Sequence, residues 1–225
     1  YSNTDDGSCI AILQSSFAAA RDNAGTNLIS GNSTYNVATA VMKQGGRGGN
    51  IFNVGRSFFY FDTSTIDPSK TVASATIKIR GFSLTSGDVI AVKSTAFGGD
   101  GGTALAASDF NNITGYSSGA SLAGNATDYS AAFTSTWSTS GYNSLVGTSD
   151  LKADMASDNV VIICIMNYTY DYLNQEPGGL IAAGAYFTEQ SGTSSDPYIE
   201  YAVAASGYGN AVSGVCLLYT SDAAD

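Results

Sequence analysis

The chain has 225 residues, enough for one β-domain with a full core, since all-β sandwiches reach this length undivided. Its net charge of -10, with only 12% charged residues and no basic stripe, sets its field against a phosphate backbone, so nucleic acid is not an expected partner. The absence of histidine excludes a Ser-His-Asp triad, a Cys-His pair and histidine-ligated zinc within this chain, and no apolar run approaches the roughly 20 residues needed to insert in a bilayer.

In chain order, residues 1–14 come first. NTDDGSC at 3–9 resembles the closing half of short acidic, cysteine-bearing repeats of secreted proteins, so 1–14 is expected to be the remnant of an upstream segment of that kind. The resemblance implies a partner for Cys9 upstream of Tyr1; a Cys9–Cys164 disulfide is the alternative. Asp5 and Asp6 are expected in a solvated acidic turn, two carboxylates being far short of a calcium ligand set. Strand signals then recur between Gly, Ser, Asn and Asp clusters, at 10–14, 17–21, 35–42, 56–61, 74–82, 88–94, 129–133, 159–166, 180–188 and 198–203.

GGRGG at 45–49 lacks the Lys-Ser/Thr ending of a phosphate loop and is expected to be a hairpin or loop. In SFFYFD at 57–62, Phe59 and Phe61 face one way and Phe58 and Tyr60 the other, which predicts a strand covered on both sides, by a partner sheet and by a long loop. Asp67-Pro68 breaks the chain. Ala75, Ile77 and Ile79 then alternate with Thr76, Lys78 and Arg80, the pattern of a half-buried antiparallel strand. A short helix is expected around 107–110 and a two-turn surface helix over 148–155, behind capping residues. Cys164 lies in the apolar run VIICI and is expected in the core.

Ten or so strands, two of them heavily aromatic, with a few helical turns in the crossings, point to two packed antiparallel sheets, a jelly roll being the favoured version, and this expectation has a family behind it. GRSFFYFDTSTI at 55–66, followed by VASATIKI at 72–79, resembles the signature of the DNRLRE or disaggregatase-related domains. These carbohydrate-binding-module-like β-sandwiches occur in secreted bacterial proteins and in phage structural proteins. FAAARD at 17–22, TWSTSGYN at 136–143 and SDPYIEY at 195–201 are similar to further pieces of the same pattern, in the same order. The resemblance implies an all-β, two-sheet antiparallel β-sandwich of jelly-roll type, with one or two short helices in the crossings. It brings no catalytic residues.

The expected organisation is a β-sandwich over 15–205, a Gly/Ser-rich linker over 206–215, and a tail over 216–225. The tail CLLYTSDAAD resembles, codon for codon, the translation of an adapter used in preparing sequencing libraries, which would mark a metagenomic read-through. It is left out of the expected fold. Without Asp222 and Asp225 the net charge moves from -10 to -8.

Carboxylate chemistry needs two acids at a defined separation. Asp150, Asp154, Asp171, Glu176, Glu189 and Glu200 are available, but no pair among them is marked by spacing, and no catalytic residue is assigned. Glycan recognition needs aromatic faces beside hydroxyls and amides, and Asn167 to Gln175 offers that mixture. Tyr168, Tyr170, Tyr172 and Asn174 are therefore the candidate glycan-binding residues; the alternative is that the tyrosines extend the strand and cap the core. Trp137 is expected to pack in the core.

The expected function is that of a non-catalytic module of a phage or viral virion protein, of tail or fibre type, structural and with affinity for host-surface glycan. Other modules of the same chain and further copies within the virion are its expected partners. Carbohydrate-module sandwiches often carry a structural calcium, although nothing in the sequence marks its ligands; no other cofactor is expected. The second reading is a carbohydrate-binding or adhesion module of a secreted bacterial multidomain protein, hence a virion or extracellular setting, and the third is a carboxylate-based polysaccharide hydrolase or lyase.

Overall fold

The computed structural model describes residues 6–23, 27–29, 35–188, 194–204 and 216–219. It is an all-β protein with eleven strands among the described residues: β1 (Gly7–Gln14), β2 (Asn27–Ile29), β3 (Tyr35–Gly46), β4 (Gly49–Asp62), β5 (Val72–Thr85), β6 (Val89–Lys93), β7 (Tyr142–Val146), β8 (Val160–Asn167), β9 (Ile181–Tyr186), β10 (Tyr198–Val203) and β11 (Cys216–Tyr219). Every pairing between them is antiparallel.

β4 is the hub of the first sheet. β1 runs along one side of it, while β3 covers residues 49–55 and β8 residues 57–62 of the other; β2 and β6 extend the sheet beyond β1 and β8. The second sheet centres on β5, with β7 on one side and β10 on the other. The two sheets run into one another through β3, β9 and the far end of β5, so the sandwich is closed along one side into a nearly complete flattened barrel.

The alternation of β5 is as the residues require: Ala75, Ile77 and Ile79 are buried between the sheets, while Thr76, Lys78 and Arg80 are half-buried on the outer face. β4 has two buried faces. Phe59 and Phe61 join Ile77, Ile79, Ile163, Ile165 and Trp137 in the core between the sheets, where Phe59 stacks on Phe187 at 5.4 Å. Phe58 points the other way, into a second core with Phe52, Cys164, Met166, Ile90, Val92, Phe97, Phe110 and Leu122. The lid over this second core is the long connection between β6 and β7, together with helix α1 (Phe17–Asp22). Both the partner sheet and the covering loop expected for the aromatic strand are present.

Local signals explain most of the remaining elements. The β3–β4 hairpin pairs Gly46 with Gly49 around a two-residue turn, and Gly49 takes φ +112, a conformation that only glycine adopts freely. Helix α2 (Ser149–Ser157) starts at Thr148, whose hydroxyl accepts from the Leu151 amide. A 3-10 turn occupies Ala107–Asn111. Asp67 turns the chain between β4 and β5 by accepting from the Ser69 amide at 2.9 Å. Trp137 is buried, donating its indole N–H to the Gly184 carbonyl at 2.7 Å and meeting Phe133 edge to face. Gly184 also lets β5 approach β9 closely: a Cβ there would lie 2.0 Å from the Phe82 carbonyl oxygen.

Several expectations are corrected. Residues 17–21 form a helix, not a strand, because Ser16 caps the chain by accepting from the Ala19 amide and the three alanines that follow are the strongest helix formers. Residues 129–133 make only isolated bridges and irregular backbone bonds to β6 and β7, linking the sheets without a regular ladder. The strands β2 and β7 lie where the sequence shows too few apolar residues to mark them. Asp6 is not solvated; it is buried, and its carboxylate accepts from the Tyr60 amide at 3.1 Å.

The tail also enters the fold, since Cys216–Tyr219 pairs with Tyr198–Tyr201. This corrects the expectation that 216–225 stands outside the fold, since the edge of β10 offers backbone donors and acceptors that 216–219 take up as β11. Residues 1–5, 205–215 and 220–225, and with them Asp5 and the linker, lie outside the described residues.

Two separate cores on the two faces of β4 make a direct prediction. Phe59→Ala and Phe58→Ala should each cost about 3–5 kcal/mol, read as a shift of the urea midpoint. A loss below about 1 kcal/mol for Phe58→Ala would mean that the long connection does not seal that face.

Candidate functional site

The stretch from Asn167 to Gln175 leaves β8 as a single turn of π-helix over Tyr168–Tyr172. Asn167 starts it, its side-chain oxygen accepting from the Tyr170 amide at 2.8 Å. Asp88 holds the turn from outside by accepting from the amide and hydroxyl of Thr169. Tyr172 is only 4% exposed; its ring stacks on Tyr168 at 5.6 Å and its hydroxyl donates to Asp128. Tyr168 and Tyr170 are half-buried against the second core. Asn174 donates to the Gly119 carbonyl. Tyr172 thus caps the second core, while Tyr168 and Tyr170 lie half-buried at its edge.

The same turn carries the group that organises this end of the molecule. Asp171 is fully buried, and the fully buried Arg56 of β4 grips its carboxylate with both edges of a fork, Nε to Oδ2 at 2.6 Å and Nη2 to Oδ1 at 2.7 Å. The remaining donors of Arg56 are taken by the Phe110 carbonyl, the Asn111 side chain and the Arg21 carbonyl. Arg21 of α1, also fully buried, donates Nε to the Asp171 carbonyl at 2.8 Å. Phe110 lies 4.2 Å under the Arg56 guanidinium, and Tyr116 lies close to both arginines. Burial works against the Arg56 charge, but the Asp171 carboxylate more than offsets it and raises its pKa.

A second layer ties this centre to the surface. Asp22 accepts from the Tyr116 hydroxyl, the Ser118 hydroxyl and the Gly119 amide. Burial alone would raise its pKa; those hydrogen bonds and Arg21 pull it below the usual carboxylate range. Asn111 donates to the Asp22 and Asn23 carbonyls. Four segments distant in sequence, namely α1, β4, the long connection and the π-turn, therefore meet at the Arg56–Asp171 pair.

Sequence reasoning missed this cluster, placing Arg21 and Arg56 only inside family-like motifs and Asp171 among spare acids. A signal was present: Arg56 shares its strand face with Phe58, which demands a buried partner for its charge. Chemically the cluster is a clamp, because none of its three charged side chains reaches solvent.

Other described carboxylates are engaged too. Asp154 accepts from Lys93 and from the Tyr129 hydroxyl. Glu176 pairs with Lys43 and Glu200 with Lys78, while Asp150 sits in the exposed first turn of α2. Glu189 lies outside the described residues. Among the described residues, no group of three or more His, Cys, Asp or Glu is gathered to hold a metal ion, and no helix is long and apolar enough to cross a membrane.

Cys9 and Cys164 are free and buried. β4 runs between their strands, pairing Cys9 with Arg56 and Cys164 with Phe58. Two strand spacings separate them by roughly 10 Å, beyond the roughly 7 Å Cα limit of a disulfide. Burial pushes the Cys9 thiol up to about 12 and the Cys164 thiol well above its ordinary value, so both remain protonated.

No family model matches the chain, and no curated protein matches it.

Removing one member of a buried ion pair strands the other charge. Asp171→Asn and Arg56→Leu should each cost about 3–5 kcal/mol, and the double variant Arg56→Leu/Asp171→Leu much less than their sum. A urea double-mutant cycle reads the coupling; additive losses would refute the clamp.

A pH dependence follows from Asp196, in the loop entering β10. It is buried, its Oδ1 has no hydrogen-bond partner among the described residues, and burial pushes its pKa up to about 6. Because the folded state holds this proton more tightly than the unfolded chain, stability should rise as pH falls through 6 toward 4, and be lost as pH climbs above 6. Asp196→Asn should be more stable than wild type at pH 7.5 and nearly equal to it at pH 4.5, measured by thermal unfolding. A pH-independent difference between the two would refute the assignment.

Proposed function

We propose that the protein is a non-catalytic β-sandwich module displayed on a virion, of the tail or fibre kind, where it builds structure and presents a surface to host glycan. The observation that carries this reading is the engagement of its acids. Of the acids that the sequence offers for hydrolysis, Asp154, Asp171, Glu176 and Glu200 are each paired with a lysine or arginine, and Asp150 lies in the exposed first turn of α2. A glycosidase needs two acids flanking one bond. A surface dominated by hydroxyls and amides, with few charges, suits contact with sugars. The motifs shared with DNRLRE-type sandwiches fit a structural or surface-binding module in the same way.

The test has two arms. Incubation with a panel of polysaccharides should release no new reducing ends and no unsaturated products. Antibody raised against the full chain should decorate tails or fibres of particles purified from a community carrying the gene. Bond cleavage would return the carboxylate-enzyme reading; label confined to secreted bacterial material would move the module to an adhesin.

A further inference from the structure

The strand β11 is joined to its partner without a tight turn. In the β3–β4 hairpin two residues separate the closing pair Gly46 and Gly49, and the turn fixes the register. Between Tyr201 and Cys216, the inner pair of β10 and β11, stand the fourteen residues 202–215. A connection of that length leaves the register to the ladder itself. The ladder runs without a shift, pairing Tyr198 with Tyr219, Ile199 with Leu218, Glu200 with Leu217 and Tyr201 with Cys216.

β10 is a firm acceptor. On its inner side it pairs with β5, and Ile199 and Tyr201 are buried in the core between the sheets, so its outer edge is set before any strand arrives. A sheet edge commonly guards itself with proline, a bulge or a charge. Tyr198–Tyr201 has no proline, its bulge against β5 lies beyond it at Ala202/Val203, and its one charge, Glu200, is already paired with Lys78 at 3.3 Å. The segment seated on it is the short, uncharged tract CLLY. Because that tract resembles a translated adapter and not a piece of the domain's own pattern, the edge asks for an extended, uncharged backbone and for no particular side-chain sequence. Recognition of this kind is strand addition, in which main-chain hydrogen bonds supply the affinity. The net charge of -10 further disfavours an acidic segment.

We propose that the outer edge of β10 is a strand-acceptor site, and that its partner is an extended, uncharged segment of a neighbouring polypeptide chain, taken up as 216–219 are taken up here. Strand capture of this kind does not depend on glycan contact, so either can fail and leave the other standing.

Disulfide capture on the full chain tests it. In a Cys216→Ser background, Leu217→Pro/Leu218→Pro empties the edge, since one of any two neighbouring residues turns its N–H to the partner strand. Leu217→Asp/Leu218→Asp, which adds charge in place of a backbone break, serves beside it. Glu200→Cys sets a thiol opposite position 217, and the capped peptide VSCLYT brings its own thiol to that place. A Ser157→Cys chain, with its thiol exposed at the end of α2, measures capture by collision alone. Capture at position 200 of the emptied chain should be at least about tenfold faster than at position 157, and should fall to the collision rate when β11 is left intact. The rearranged peptide VLCSYT should be captured within about threefold of VSCLYT, and VSCPPT, which lacks the backbone donors, only by collision. The fluorescence of Trp137, buried between the sheets, reports that each variant is folded.

Equal rates at positions 200 and 157 in both emptied chains would overturn the proposal. So would capture of VSCLYT without VLCSYT, which would make the site a pocket for particular side chains. A disulfide between two copies of the emptied chain that forms ahead of peptide capture would also overturn it, by making a second β10 edge the occupant.

Discussion

Burying a guanidinium is costly unless its charge is paired and its donors are met, and Arg56 meets that condition in one arrangement of the chain. Its fork needs the Asp171 carboxylate, its outer nitrogen needs the carbonyl and amide oxygens at Phe110 and Asn111, and the Arg21 carbonyl completes the set. Satisfying Arg56 therefore places α1, the π-turn and the long connection over β4 at once. A slip of β4 by one residue would turn Arg56 into the space between the sheets, among Ile163 and Ile165, where no acid waits. Hydrophobic area favours many compact arrangements of these segments; the buried charge discriminates among them.

The same constraint explains why the protein has two cores rather than one. Sandwich strands normally turn one face to water, but β4 and β8 carry apolar side chains on both, as the run Val160–Asn167 shows. The long connection between β6 and β7 contains little regular structure and could not hold itself over such a face by backbone ladders. It is held instead by Phe97, Phe110 and Leu122 set into the second core, and by the hydrogen bonds that radiate from Asp22, Asn111 and Asp171.

What could be read in advance divides along this line. Alternation marked β5 and β4 because each side chain there answers to one neighbour directly across the sheet, a period-2 rule written in the local sequence. The helix at α1 was misread because FAAAR is compatible with a short apolar strand, and only the cap at Ser16 tips it. The pairing of Arg21 and Arg56 with Asp171 spans more than a hundred residues and has no local pattern at all; only the incongruity of an arginine on an aromatic strand face hinted at it. Tyr172 illustrates the converse limit. The composition around it suits a sugar, but composition does not say which way a ring points, and the π-turn directs Tyr172 inward while Tyr168 and Tyr170 stay half-buried.

The outer face of the second sheet was hidden for a related reason. Phe82, Tyr142, Tyr186 and Tyr198 come from four strands, and no window of the sequence holds two of them close together. Strand pairing alone brings them into one row. β5 and β9 approach closely at Gly184, and the end of the long connection binds both, through Trp137 to the Gly184 carbonyl and through the Trp137 amide to the Thr85 carbonyl. The arrangement separates two tasks: the buried charges fix how the chain is folded, while the half-buried rings brace one another across strand pairs on the outer face, Tyr142 against Tyr198 and Phe82 against Tyr186.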